Sequence, residues 1–341
     1  MPRHRPAAPA PRGKPIKLAL QGGGAHGAFT WGVLDEILAD GRLDITAVSG
    51  ASAGAMNAVI LADGLADGGP ARARAQLERF WRKASLDGAL PDFARPVFDT
   101  VLNFWSPRAN PWLGMLQTAS PYDFNPLNIN PLKTILDEEI DFARLRTASP
   151  VRLAIAATNT ETGKVRVFRE GELTADHIAA SACLPQVFRA VEIDGTPYWD
   201  GGYMGNPPLY PLFEGEGCDL LLIQINPVRR PGAPVSATAI QHRINEISFN
   251  SPLLHELRAI EFVARLIDTG VLTDPHYKRI LMHRIAMSET HAETAETKMS
   301  TEFGFFLKLR NAGRTAAKAW LKAHYDDIGT RETMDLRAEF A

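Results

Sequence analysis

Apolar and polar positions alternate with two different periods along the chain. Residues 17–21 and 43–48 fit short buried strands, and each is followed by apolar side chains at helical spacing, over 28–38 and 53–62. The pattern then continues: apolar or alternating runs predict strands at 151–158, 164–168, 219–225 and 277–285, a hairpin over 191–198 and a short helix over 174–182. Strands that alternate with helices in this way indicate an α/β fold.

Two longer helices are predicted in the last third of the sequence. Ser251 stands in an N-cap position, Pro252 follows at the first helical position, and Gly270 marks the end. The second helix runs from about Phe303 to His324. Four cations recur there at four-residue spacing, opposite the apolar residues: Arg310, Arg314, Lys318 and Lys322. We interpret it as a packed helix with a solvated face; the alternative is a cationic helix lying on anionic lipid.

Composition limits the classes of protein that fit. The 341 residues, 45% of them apolar, can bury a large core in one enlarged α/β domain or in two smaller ones. The formal net charge of −2 gives no bulk basicity, which argues against nucleic acid as a partner. Two cysteines without a pairing pattern are interpreted as reduced thiols, and no cluster of metal-ligating residues stands out.

The first residues and the hydropathy of the chain predict where the protein resides. Residues 1–15 are rich in Pro, Ala and Arg and carry no apolar run, so we expect a disordered tail and no signal peptide. No stretch approaches the roughly 18 uninterrupted apolar residues of a membrane span. We therefore expect a cytoplasmic protein whose contact with a membrane can only be peripheral.

Residues 90–131 differ in composition from the rest of the chain. Aromatic residues and prolines are interleaved there without a helical or strand period. Such a segment fits a cap or mobile lid over an acyl-chain groove, and it fits equally an irregular insertion whose aromatic rings pack on the core. The sequence favours neither interpretation.

At the junction of the predicted strand 43–48 and its helix stands the sequence Gly50-Ala51-Ser52-Ala53-Gly54. A G-x-S-x-G serine on a strand-to-helix turn can hold its hydroxyl above the sheet edge as a nucleophile. The N-terminus of the helix favours negative charge at the same place. The pattern alone is weak evidence, so the assignment of Ser52 depends on its context.

A glycine-rich loop follows the first predicted strand and reads Gly22-Gly23-Gly24-Ala25-His26-Gly27. One interpretation is a dinucleotide-binding loop, because the glycines satisfy G-x-G-x-x-G and Asp40 or Asp44 stands near the position of a ribose-binding acid. The other is an oxyanion hole formed by backbone N–H groups. We favour the oxyanion hole, because a nucleophilic serine needs one, whereas a nucleotide site does not need the serine.

The third motif, Trp199-Asp200-Gly201-Gly202, ends the predicted hairpin. An Asp fixed at the end of a strand can accept the proton of a serine, although ordinary Asp-Gly turns are also common. A free Asp has a pKa of about 3.9 and is a poor base near neutral pH. A catalytic Asp200 therefore needs burial that raises its pKa, or a geometry in which the proton transfer is concerted.

In this order the three motifs resemble those of the patatin-like phospholipases and lipid acyl hydrolases, over roughly residues 16–230. The resemblance implies a three-layer α/β/α fold with a mainly parallel sheet, a nucleophile Ser52 and a general base Asp200. It implies an oxyanion hole from Gly22, Gly23, Gly24 and Ala53. The motif residues that would support this site are His26, Gly27, Gly50, Gly54, Gly201 and Gly202. His26 departs from the family, which usually carries Arg or Lys there.

We therefore expect a cofactor-free serine acyl hydrolase acting on phospholipid or other acyl-glycerol esters. The alternatives are a broad carboxylesterase or polyester depolymerase with the same site, a Ser–His–Asp triad drawing on one of nine histidines, and a non-catalytic lipid- or nucleotide-binding module. Residues 16–341 are expected to form one domain, with 232–341 as a C-terminal helical extension. The head group, the ester position and the oligomeric state are left open.

Overall fold

The computed structural model describes residues 13–85, 120–125, 128, 130–288 and 302–340. The strands in these ranges are β1 (Lys14–Leu20), β2 (Leu43–Gly50), β3 (Arg152–Asn159), β4 (Val165–Arg169), β5 (Val191–Ile193), β6 (Thr196–Asp200), β7 (Asp219–Gln224) and β8 (Leu281–Ala286). The α-helices are α1 (Gly27–Asp40), α2 (Ala53–Lys83), α3 (Pro121–Phe124), α4 (Pro131–Glu139), α5 (Phe142–Ala148), α6 (Ala175–Ser181), α7 (Ala237–Asp268) and α8 (Phe303–His324).

Parallel pairing dominates the central sheet. Strands β3, β2, β1, β7 and β8 lie side by side in this order, and each pairs in parallel with its neighbour. Strands β4 and β6 pair antiparallel with β3, and β5 forms a hairpin with β6 at the edge. The predicted α/β fold with a mainly parallel sheet is confirmed.

Helices cover both faces of the sheet. Successive side chains of a strand point to opposite sides, so each strand contributes to a core on either face. On β1, Leu18 and Leu20 belong to a core shared with α1, α2 and α8. Ala19, between them, faces a second core that Leu253 and Leu257 of α7 help to build. Strand β7 divides its leucines between the same two cores. The sheet is thus the middle layer of a three-layer α/β/α architecture.

Helix α2 is longer than the helix predicted over 53–62. It continues to Lys83 across a kink at Gly68 and Gly69, where Gly69 has a φ of 75°, and Pro70 begins the next turn. Residues around the kink are partly exposed, so the apolar period that marks the first part of the helix is interrupted there. After the kink the helix returns to the core with Leu77 and Phe80.

The predicted start of the helix at Ser251 is wrong. Helix α7 begins at Ala237, where the side chain of Ser236 accepts a hydrogen bond of 3.1 Å from Ala239 N, and Pro252 lies inside the helix. A Ser-Pro pair marks the start of a helix only where no tertiary contact keeps the residues before it in a helical conformation. Here Phe249 packs against the ring of Tyr203, and this tertiary contact fixes that turn. The predicted end is close, because the helix stops at Asp268, just before Gly270.

The helix predicted from Phe303 to His324 has those bounds in the structure, and it crosses α1 closely. A Cβ on Gly313 would overlap the carbonyl of Phe29, so the two backbones approach to a distance that only glycine permits. Two of the four cations, Arg310 and Arg314, bind Asp35 of α1 at 2.8 and 3.1 Å. These contacts agree with the packed-helix interpretation.

Other boundaries also differ from those predicted. Residues 232–341 contribute β8 to the central sheet, so this region is more than a helical extension. Strand β1 begins at Lys14, inside the predicted tail. The segment 90–131 lies mostly outside the described residues. Among the helices that are described, none combines the length and the apolar character of a membrane span.

We expect Gly313→Ala to lower the free energy of unfolding by about 1–3 kcal/mol, because the added methyl group overlaps the α1 backbone. Urea denaturation measures this. Gly304→Ala, on the same helix with no atom within 4 Å of the new Cβ, is the control and should be neutral or stabilising by up to about 1 kcal/mol. Equal effects of the two substitutions would contradict the close crossing.

Candidate active site

Ser52 occupies a strained turn between β2 and α2. Its φ of 53° and ψ of −125° lie outside the regions that residues with a side chain usually adopt. The flanking glycines are required by contact: a Cβ on Gly54 would overlap the carbonyl of Leu20, and one on Gly50 would lie 2.7 Å from Gly54 C. The backbone N–H of Ser52 donates to the carbonyl and the hydroxyl of Ser181, both at 3.1 Å. Ser181 therefore holds the backbone of the turn in place.

Asp200 is the last residue of β6 and is fully buried. One carboxylate oxygen, Oδ1, accepts a hydrogen bond of 2.7 Å from Gly202 N. Burial raises the pKa of Asp200 to about 7, and the hydrogen bond from Gly202 N–H and the nearby Ser52 hydroxyl only partly oppose that rise. Its backbone is fixed by a bond of 2.8 Å to the carbonyl of Cys183. The carboxyl group is thus held in place, and its pKa is raised toward neutrality.

The second carboxylate oxygen of Asp200 remains available toward Ser52. Oδ2 has no hydrogen-bond partner within the described residues, although it is buried. The Ser52 hydroxyl lies close enough to the carboxylate to lower the pKa of Asp200. Catalytic hydrogen bonds often tighten only when substrate binds. The arrangement can therefore move a proton from Ser52 to Asp200.

The two glycines after Asp200 leave no room for a side chain. A Cβ on Gly201 would overlap the carbonyl of Ala156 in β3, and one on Gly202 would overlap the ring of Phe249. Strand β3 and helix α7 therefore press on this turn from two sides. That packing keeps the Gly202 amide directed at the Asp200 carboxylate.

The glycine-rich loop lies against the serine turn, but its amides do not all face the site. The Gly22 N–H donates to Asn206 Oδ1 at 2.7 Å, so the expectation that Gly22 contributes an oxyanion donor is corrected. No hydrogen bond within the described residues occupies the amides of Gly23, Gly24 or Ala53. Gly24 has a φ of 57°, a left-handed conformation, and Ala53 is the first residue of α2, whose N–H lacks a partner within the helix.

His26 and Gly27 join the loop to α1. His26 is buried, and its backbone N–H donates to Gly23 O at 3.2 Å. A Cβ on Gly27 would lie 2.7 Å from the Cβ of Ala53, so α1 begins directly against the first turn of α2. These two residues support the loop through their backbone positions.

Three histidines later in the chain bind other partners. His177 Nδ1 contacts Thr174 Oγ1 at 2.8 Å and His324 Nδ1 contacts Asp327 at 2.9 Å. His283 is enclosed between Asp219 and Thr333, at 3.0 Å from each. None of these contacts reaches Ser52 or Asp200. Among the described residues, no group of three or more His, Cys, Asp and Glu side chains is placed to hold a metal ion.

An apolar cleft opens beside Ser52. Besides Ser52 and Gly24, its lining includes the apolar side chains Met56, Phe80, Trp81, Leu132 and Leu184. The free space in the cleft is about 20 Å³, which is close to the volume of one water molecule. The walls of the cleft fit the hydrocarbon part of a substrate, and they must separate to admit it.

Comparison with known proteins assigns the family. The model of the patatin-like phospholipase family matches residues 18–213, which is more than half of the chain and includes all three motifs. The chain belongs to the patatin-like phospholipase family. A search of curated protein sequences gives no match.

Solved structures similar to this chain include those of VipD and of the type III effector protein ExoU. VipD from Legionella pneumophila is 16% identical, with a TM-score of 0.35, and the alignment covers 89% of this chain and 68% of VipD. The type III effector protein ExoU is 14% identical, with a TM-score of 0.34, and the alignment covers 92% of this chain. This patatin-like chain spans only 54% of that ExoU structure. At such scores the likeness supports no conclusion about activity.

The sequence did not reveal the buried carboxamides that surround the glycine-rich loop. Asn206 and Asn226 contact Gly22, and Gln21 and Asn250 contact each other at 2.8 Å. No motif or period distinguishes these residues from other polar ones. The one signal was position, because Asn206 follows Asp200 closely and Asn226 ends a strand next to β1.

Burial of Asp200 should make the stability of the protein depend on pH. The folded-state pKa of about 7 lies above the ordinary value of 3.8 for an aspartate in an unfolded chain, so the proton stabilises the folded state and this stability is lost as the pH rises from about 4 to 7. The side chain introduced by Asp200→Asn carries no charge at any of these pH values. We expect the free energy of unfolding of this variant, relative to that of the unmodified protein, to increase by on the order of a few kcal/mol between pH 4.5 and pH 8. Urea denaturation at both pH values, with the exposed Asp137→Asn as baseline, measures this; a constant difference would contradict the burial effect.

Proposed function

We propose that this protein is a serine acyl hydrolase that cleaves fatty acyl esters of lipids through a Ser52–Asp200 dyad. The observation that carries the proposal is a fully buried carboxylate, with one unoccupied oxygen, next to a serine on a strained turn. Membership of the patatin-like phospholipase family supports a lipid substrate. Peripheral contact with a lipid surface is part of this proposal.

In the first half of the reaction Ser52 Oγ attacks the ester carbonyl while Asp200 takes the hydroxyl proton. The oxygen that becomes negative is held by the amides of Gly23, Gly24 and Ala53, at the positive end of the α2 dipole. The tetrahedral intermediate then collapses, and the alcohol leaves with the proton from Asp200. Ser52 remains bound to the acyl group.

In the second half a water molecule attacks the acyl-enzyme. Asp200 takes one proton from the water, and the same amides hold the oxyanion again. Collapse releases the fatty acid and returns the proton to Ser52. Asp200 serves as base and acid in both halves, and a pKa near the operating pH suits both roles.

The apolar cleft supports an acyl chain as the group next to the reacting carbonyl, because its lining offers carbon atoms and few polar groups. Its small free volume favours a second candidate, a carboxylesterase with a preference for short acyl chains. Activity on p-nitrophenyl esters of increasing chain length distinguishes the two. A maximum at long chains supports the lipid hydrolase, whereas a maximum at acetate or butyrate supports the esterase.

Removal of either member of the dyad should abolish ester hydrolysis. We expect Ser52→Ala and Asp200→Asn each to reduce kcat by about 10⁴-fold or more, because the nucleophile and its base act as a unit. His26→Ala should retain most of the activity. The assay is p-nitrophenyl ester hydrolysis, with fluorophosphonate labelling in parallel, which should be lost in Ser52→Ala. An active Asp200→Asn together with an inactive histidine variant would instead indicate a Ser–His–Asp triad.

The rate should follow the ionisation of Asp200. Because the base must be deprotonated, kcat/KM is expected to rise with pH, to reach half its plateau near pH 7 and to stay flat above it. A pH profile measured on a neutral ester tests this. A midpoint below about pH 5 would show that the carboxyl group is not desolvated in the working enzyme.

A further inference from the structure

The peptide unit between Gly22 and Gly23 needs external support. Both residues lack a Cβ, so rotation of this peptide plane meets little steric resistance. One orientation directs the Gly23 N–H into the site, and the opposite orientation directs the Gly22 carbonyl there. A carbonyl oxygen would repel the negative oxygen of a tetrahedral intermediate. The useful orientation must therefore be held by other groups.

Two buried asparagines hold that peptide unit. Asn226 Nδ2 donates to the Gly22 carbonyl at 2.6 Å, and Asn206 Nδ2 donates to the same oxygen at 3.3 Å. Asn206 also accepts the Gly22 N–H on its Oδ1 at 2.7 Å. Both side chains are almost fully buried, so water does not compete for these bonds. The carbonyl of Gly22 is thus bound from two side chains at once.

The direction of the Gly22 carbonyl determines that of the Gly23 amide. In a planar trans peptide the C=O and the following N–H point in opposite directions. We propose that Asn206 and Asn226 are positioning residues that keep the Gly23 N–H turned toward the oxyanion of the Ser52 reaction. This inference rests on the proposed function, and it assigns a role to two residues outside the three motifs.

Asn226 is itself fixed by the structure around it. Gln21 Oε1 accepts the backbone N–H groups of Ile225 and Asn226 at 2.9 and 2.8 Å. Gln224 Nε2 donates to the carbonyl of Asn226 at 3.2 Å. A Cβ on Gly23 would lie only 3.0 Å from Ile225 Cδ1, so the loop packs directly on this segment. Asn226 is therefore anchored at the ends of β1 and β7, two neighbouring strands of the central sheet.

The experiment compares Asn206→Leu and Asn226→Leu with Gln76→Met. Each substitution replaces a buried carboxamide by a hydrocarbon of similar size. Gln76 bonds Asp63 and the carbonyl of Glu139, away from the loop, and is the control. The readouts are kcat and KM for a p-nitrophenyl ester, Ki for a trifluoromethyl ketone that adds to the serine, and Tm.

We expect kcat of both asparagine variants to fall about 10²-fold, the effect of losing one oxyanion donor, with KM changed less than about threefold. Ki for the ketone should rise in parallel with the loss of kcat, because its adduct carries the oxyanion. Gln76→Met should lower Tm and keep kcat. In the double asparagine variant the losses should be less than multiplicative, because both side chains hold the same carbonyl.

The positioning role is overturned if the asparagine variants keep kcat within about threefold of that of Gln76→Met. It is also overturned if the changes in kcat and Ki are no larger than the decrease in Tm explains. If one variant fails to fold, the other provides the same test. Failure of the proposed function has a different signature: the unmodified protein would neither hydrolyse the ester nor react with fluorophosphonate at Ser52.

Discussion

The parallel pairing of β1 with β2 is the constraint on which the site depends. In this register Leu20 lies opposite Gly50, so both strands end at the same edge of the sheet. The glycine-rich loop leaves β1 there and the serine turn leaves β2 there, with a separation so small that a Cβ on Gly22 would lie 2.8 Å from that of Ser52. The proposed oxyanion donors and the proposed nucleophile, about thirty residues apart in the sequence, become neighbours because β1 and β2 pair side by side.

Asp200, the proposed general base, reaches the same edge of the sheet through a different strand. Asp200 ends an antiparallel strand, and its pairing with Ala157 sets it beside β3, the neighbour of β2. Burial there destabilises the charged carboxylate and raises its pKa toward neutrality. An imidazole reaches a similar pKa without burial, whereas a carboxyl group needs a desolvated position. Gly201 and Gly202 create that position, because without side chains they let β3 and α7 pack directly against the turn.

Local patterns in the sequence predicted the features that depend on neighbouring residues. The strands β1 and β2, the serine turn and the bounds of α8 follow from apolar period, glycine spacing and capping within a few residues. The start of α7 and the hydrogen bond of the Gly22 amide could not be predicted from local patterns. Each is decided by a contact between distant segments: Phe249 with Tyr203, and Gly22 with Asn206. Polar residues that become buried carry no period, so single-sequence reasoning finds them only next to a motif.

The small volume of the cleft has a consequence for the two halves of the proposed reaction. The free space of about 20 Å³ beside Ser52 is room for about one water molecule. Burial of Asp200 within the fold keeps its carboxylate desolvated and raises its pKa, while deacylation in the proposed reaction needs a single water near that carboxylate. A larger permanent cavity would hydrate Asp200 and lower its pKa, and a completely closed one would leave the acyl-enzyme without a nucleophile. A cleft that separates around the acyl chain and otherwise holds about one water satisfies both requirements.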